Sequence, residues 1–142
     1  MSTEQNKALI HRIFEEGMNQ NKMGVIDELI ASNYVNHDLP TPAPGAEGFK
    51  MVVGMFRTAF PDIHITIEDS LAEGDKVMTR GNFAGTHQGA FMNIPPTGKK
   101  VTVKYLDVWR IDEHGKAAEN WVQMDIMGLM VQLGVVPPPP TG

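Results

Sequence analysis

The sequence predicts an α+β fold with three N-terminal helices over the concave face of a curved, mostly antiparallel sheet. Two observations carry this prediction. Up to Phe60 the apolar residues recur at helical spacing, whereas from Ile63 onward the period drops to two. The second half is also enriched in Val, Thr, Tyr and Trp, which suit a pleated surface. Helices followed by a run of strands is the α+β arrangement. A curved sheet covered by helices leaves a cavity between the layers, where pockets preferentially form.

The elements follow in order. Ser2 and Thr3 precede "EQNKALIHRIFEEGMNQ", a helix start with acids early. Leu9, Ile10, Ile13, Phe14 and Met18 give this helix one buried face. "KMGVIDELI" fits a second helix, with Met23, Ile26, Leu29 and Ile30 inward. "ASNYVNHDLPTPAPG" is expected to be irregular because prolines crowd its end. A third helix runs from about Gly45 to Phe60, its stripe including Phe49, Val52, Val53 and Phe56. Pro61 stops it, since the residue before a proline avoids helical geometry. "IHITIEDSLAEGDKVMTRGNFAGTH" reads as two strands joined near Gly74, and "KKVTVKYLDVWRIDEHGKAAENWVQMDI" as two more joined near Gly115. "IMGLMVQLG" is a short closing helix. Residues 1–134 are read as one domain and 135–142 as a proline-rich tail whose extended backbone stays outside the core.

The composition excludes several function classes. With 17 acidic against 12 basic residues and no Lys/Arg cluster, no nucleic-acid partner is expected. The lack of cysteine excludes disulfides, zinc-thiolate sites and cysteine nucleophiles. No apolar run is long enough for a membrane span, and the N-terminus lacks the apolar core of a signal peptide. A soluble, cytoplasmic protein is the expectation. No His/Asp/Glu spacing matches a metal site, no glycine loop cradles a phosphate, and no serine sits in a nucleophile elbow. No metal and no cofactor are therefore expected.

What remains is acid–base chemistry. In "VTVKYLDVWRI" one strand face presents Tyr105, Asp107 and Trp109 together. A carboxylate between aromatics is desolvated, which raises its pKa toward a value useful for proton transfer. The competing reading is a solvated face or a subunit contact. In "ENWVQMDI" either Trp121 with Asp125 or Asn120 with Val122 faces inward, and alternation alone leaves this open. Asp125, where the strand gives way to the last helix, suits an N-cap somewhat better than catalysis. His37 follows the second helix near the cavity, and His87 ends a strand; each is a candidate proton carrier, though a lone histidine is more often structural. Ten methionines suit either ordinary core filling or a pliable apolar pocket.

Five stretches together resemble the SnoaL-like polyketide cyclase family, of the nuclear-transport-factor-like cone fold. They are "YVNHD", "FPDIHITIEDSLAEGDKV", "GTHQGAFMNIPPTGKKV", "DVWRIDEHGK" and "NWVQMDIMGLMVQLG", in the family's order. The resemblance implies a cone-shaped domain, often dimerised through its sheet, with "GTHQGAFMNIPPTGKKV" on the pocket rim. It implies intramolecular aldol ring closure without a cofactor, assisted by an aspartate on the last long strand and a histidine on its neighbour. Matched without gaps, the histidine position falls on Asp107 and the aspartate position on Val122, with Asn120 beside it. The catalytic pair is thus altered while the pocket is retained.

Two functions follow as expectations. One is an enzyme acting on a hydrophobic, polyketide-like or other carbonyl substrate by aldol cyclisation or isomerisation. Its catalytic candidates are Asp107, Asp125 and His37; His87, Tyr105, Asn120, Trp121 and Trp109 are the substrate-binding candidates. The other is a non-catalytic binder of an apolar small molecule. A homodimer is expected in either case.

Overall fold

The computed structural model describes residues 2–138 and 140. Of the proline-rich tail, residues 139, 141 and 142 lie outside the described residues. Helix α1 (Thr3–Arg12) starts at a capping box: the Ser2 hydroxyl accepts from the Gln5 N–H, and the Gln5 side chain accepts from the Ser2 N–H. It continues into a π-helical segment, Ile13–Asn19. Helix α2 (Met23–Leu29), strand β1 (Ile30–Asn36) and helix α3 (Gly45–Ala59) follow. Then come β2 (His64–Glu73), β3 (Lys76–Thr86), β4 (Lys100–Ile111), β5 (Ala117–Met124) and α4 (Ile126–Leu133).

The α+β expectation holds. Among the described residues, one sheet runs in the order β1-β5-β4-β3-β2, antiparallel except for the parallel β1–β5 pair. Strand β1 corrects the reading of residues 31–36 as irregular. Ala31, Ser32, Asn33 and Asn36 are poor strand formers. The segment is extended because β5 offers it a ladder, with Ile30 opposite Ala117 and Asn36 opposite Asn120.

The sheet bends where β2 carries an irregularity between Ile67 and Asp69. Gly81 of β3 faces this point, and a Cβ there would stand 1.9 Å from the Thr66 carbonyl oxygen. Only glycine permits so close a backbone approach. On β3 and β4 every second residue is buried, so Val77, Thr79 and Phe83 share the inner face with Val103, Tyr105, Asp107 and Trp109. The helices cover that face. Phe14, Tyr34 and Phe49 close around Trp109 at centroid distances of 6.0, 6.2 and 6.0 Å. Each such aromatic pair adds roughly 0.5–1.5 kcal/mol beyond its burial. A second cluster, built on Phe60, Phe83, Val101 and Leu129, fills the other end and seats α4.

The rim segment after β3 is tied down at both ends. The Gln88 and Gly89 N–H groups both donate to the Ala59 carbonyl at the end of α3. His87 and Lys99 continue the β3–β4 pairing, the His87 N–H donating to the Lys99 carbonyl at 2.9 Å. No helix among the described residues is long and apolar enough to cross a membrane.

Candidate active site

Between α3, the π-helical segment and the sheet lies a cavity of about 110 Å³ with a strongly apolar wall. That is the scale of a site for one small ring; a cavity of about 150 Å³ holds benzene. The π-helical turn contributes Phe14 and Met18, and α3 contributes Phe49, Val53 and Phe56. Partly exposed Leu39, Thr41 and Val52 mark the mouth. A few polar groups converge on the opposite wall: Asp107, Tyr105, Asn120, Tyr34 and Asn36.

Asp107 is the centre of this group and is only 5% exposed. It stands between Thr79 on β3 and Val122 on β5, its direct cross-strand partners. The Thr79 hydroxyl donates to Asp107 Oδ1 at 2.5 Å. The Trp109 indole N–H donates to Oδ2 at 2.9 Å. Burial penalises the charged form and pushes the Asp107 pKa up to about 6, while the hydrogen bonds from Thr79 and Trp109 pull it partly back. The Tyr105 hydroxyl lies 3.1 Å from Thr79 Oγ1, and burial pushes its pKa up to about 12. Burial raises the Tyr34 pKa as well. Both phenols are therefore protonated donors at neutral pH.

Asn120 is the second polar anchor. Its Nδ2 donates to the Val108 carbonyl at 3.1 Å, which fixes the amide. Its Oδ1 accepts from Asn36 Nδ2 at 3.3 Å and, more loosely, from the Tyr34 hydroxyl at 3.5 Å. Strand β1 thereby contributes both Tyr34 and Asn36 to the cavity wall.

The candidates named from the sequence divide between two environments. Asp107, Tyr105, Trp109 and Asn120 come together on the cavity wall. The pairing of β4 with β5 puts Asn120, Val122 and Met124 opposite Trp109, Asp107 and Tyr105, which settles the inward face of β5. Trp121 therefore points to the outer face, where His37 stacks on it at 4.7 Å and bonds Glu119 at 3.1 Å. Asp125 caps α4, its side chain accepting from the Gly128 N–H at 2.9 Å. His87 is fully buried beneath the rim, beside Phe60, and its Nδ1 accepts the Thr97 N–H at 3.2 Å. None of these four lines the cavity.

Three site residues had no place among the candidates. Thr79 was detectable, since it is the one hydrogen-bonding side chain in the alternating buried row Val77, Thr79, Gly81, Phe83. Tyr34 and Asn36 carried no such signal, because their strand exists only by tertiary pairing.

A family model described as SnoaL-like polyketide cyclase matches residues 8–133. Solved structures share the fold. TsrD from Streptomyces laurentii superposes with a TM-score of 0.87 at 25% identity, over 96% of this chain and 99% of that one. IdmH, a candidate polyketide cyclase from Streptomyces antibioticus, is 32% identical with a TM-score of 0.78, covering 92% of this chain and 99% of its own. AclR, a candidate hydroxylase from Streptomyces galilaeus, is 27% identical with a TM-score of 0.83, covering 98% and 87%. No curated protein matches the chain significantly.

Proposed function

The chain belongs to the SnoaL-like polyketide cyclase family, and from that premise we propose that it performs cofactor-independent acid–base catalysis on a hydrophobic carbonyl compound, with Asp107 as the base. One observation carries the reading. Asp107 is the one carboxylate among the residues that line the cavity, and burial raises its pKa to about 6. A base poised there is largely ionised at neutral pH yet basic enough to remove a proton next to a carbonyl.

Proton removal leaves an enolate whose oxygen needs hydrogen-bond donors. Tyr34 and Tyr105 are protonated phenols on the same wall, and the weak 3.5 Å contact of Tyr34 with Asn120 is easily exchanged for a substrate oxygen. Aldol cyclisation and double-bond isomerisation share this first step. The cavity takes the reacting end of a substrate, with any longer portion leaving past Leu39 and Thr41.

The outer face of the sheet supports a homodimer. Leu71, Met78, Val108 and Trp121 are successive cross-strand partners there, and Leu71 and Met78 are exposed. Such a continuous apolar row suits contact with a second copy.

The test uses 2-tetralone, a small apolar ketone, in deuterated buffer. The protein is expected to accelerate exchange of the α-protons, read by NMR, and Asp107→Asn is expected to abolish the acceleration. Equal rates for the two proteins would remove Asp107 as the base. Binding of the ketone without any exchange would favour the non-catalytic carrier.

A further inference from the structure

Thr79 has one hydroxyl proton and stands between two partners that both compete for it. Its Oγ1 is 2.5 Å from Asp107 Oδ1 and 3.1 Å from the Tyr105 hydroxyl. All three groups are buried. When Asp107 is ionised it can only accept, so Thr79 must donate to it. Thr79 then has only lone pairs left for Tyr105, and Tyr105 must donate to Thr79. In this state Tyr105 offers the cavity no proton.

Protonation of Asp107 reverses the chain. A carboxyl O–H on Oδ1 donates to Thr79 Oγ1, the Thr79 hydroxyl turns to donate to Tyr105, and the Tyr105 hydroxyl turns toward the cavity. The last two moves are rotations about C–O bonds, and no covalent bond breaks in either side chain. The one proton transfer is from substrate carbon to Asp107. The C–H bond breaks, its electron pair moves into the enolate, and an O–H bond forms on Oδ1.

We propose that Thr79 is a positioning residue that couples proton capture by Asp107 to hydrogen-bond donation by Tyr105. This rests on the reading of Asp107 as the base and extends it. Tyr105 is withheld from the neutral ketone and released to the oxygen just as that oxygen becomes charged. Donation confined to the charged state stabilises the transition state without tightening ground-state binding.

The titratable groups facing this chain are few. Tyr105 lies on the same strand as Asp107, whose charge also acts on it directly. Tyr34 approaches from β1, close enough for the Asp107 charge to raise its pKa. Glu68 of β2 acts on Tyr105 through its charge, but at its hydrogen-bonding end it is engaged with Arg80 and Asn82. Phe14 from the helical layer and Asn120 and Val122 from β5 do not titrate.

The chain contains only two tyrosines, so labelling them with 13C at Cζ gives two signals, assigned with Tyr34→Phe. In the wild type the Tyr105 signal is expected to step at the same pH as the Asp107 carboxyl signal. Thr79→Ser keeps a hydroxyl and is expected to preserve the step. Thr79→Val removes it and is expected to shrink the step to the small direct effect of the Asp107 charge on Tyr105, while Asp107 still titrates. If Thr79→Val does not fold, Thr79→Ala serves in its place. A wild-type Tyr105 signal that ignores Asp107, or a step undiminished by loss of the hydroxyl, overturns the proposal. In the 2-tetralone assay Thr79→Val is expected to lose roughly tenfold in exchange rate, the worth of one such hydrogen bond, with rescue by Thr79→Ser. If Asp107→Asn leaves exchange unchanged while the coupled titration persists, the base assignment fails and the coupling stands. The opposite pattern retains the base and removes Thr79.

Discussion

Trp109 and Asp107 lie two residues apart on one strand face, and the indole N–H of Trp109 donates to Asp107 Oδ2 at 2.9 Å. The largest fully buried side chain in the protein thus orients its buried carboxylate. Because the bond favours the ionised form, its loss has a definite sign. Trp109→Phe is expected to move the Asp107 titration upward by roughly one pH unit, read by carboxyl 13C NMR. A downward move would show that the bond does not hold the charge.

Asp107 also makes stability depend on pH. Its pKa is about 6 in the folded protein against 3.8 ordinarily. A pKa raised by folding means that the native state favours the proton. The contribution to stability is therefore fully present below about pH 4 and is lost as the pH rises through about 6. Asp107→Asn is neutral throughout. Its amide can accept from Trp109 and donate to Thr79, as the protonated acid would. The variant is expected to gain on the wild type by about 3 kcal/mol between pH 4 and 7.5, measured by urea unfolding. A gap that stays flat with pH would mean that Asp107 ionises without penalty.

Asp125 and Gly128 are coupled through the cap of α4. Asp125→Ala is expected to cost about 1 kcal/mol. A Cβ on Gly128 would stand 2.2 Å from Asp125 Oδ2, so Gly128→Ala should expel the same carboxylate. The double variant is expected to be clearly less destabilised than the sum of the singles, since the clash needs both groups. Additive costs in thermal unfolding would place the strain elsewhere. Neither single variant should alter the Asp107 titration.

Gly81 is expected to be intolerant of any side chain. Gly81→Ala sets a Cβ 1.9 Å from the Thr66 carbonyl and should cost on the order of 4 kcal/mol. Gly54, inside α3 with open space around it, is the control. Gly54→Ala is expected to be neutral or to stabilise by up to about 1 kcal/mol.

Much of the site was legible where alternation was strong. Tyr105, Asp107 and Trp109 share a face in any extended reading of residues 101–111, and the structure buries that face. The face of β5 was not legible, because Asn120 and Trp121 are both plausible core residues. Only the register against β4 decides between them, and register is a long-range property. His37 depended on the same information. With β1 unrecognised, a histidine after the second helix had no defined side; once β1 lies along β5, its ring meets Trp121 on the outer face. Asp125 shows the reverse case. A cap is a local feature, and the residue pattern alone favoured it.

The parallel seam between β1 and β5 has a consequence for how the chain is made. Tyr34 and Asn120 meet on the cavity wall although 86 positions separate them. A chain emerging from a ribosome can form α1 and α2 early, but residues 30–36 have nothing to pair with until β5 appears. This side of the cavity wall is thus assembled late, by closing a very long loop. Until residue 120 has been synthesised, the apolar helices have no completed sheet edge to cover, and a nascent-chain chaperone would find its binding surface there.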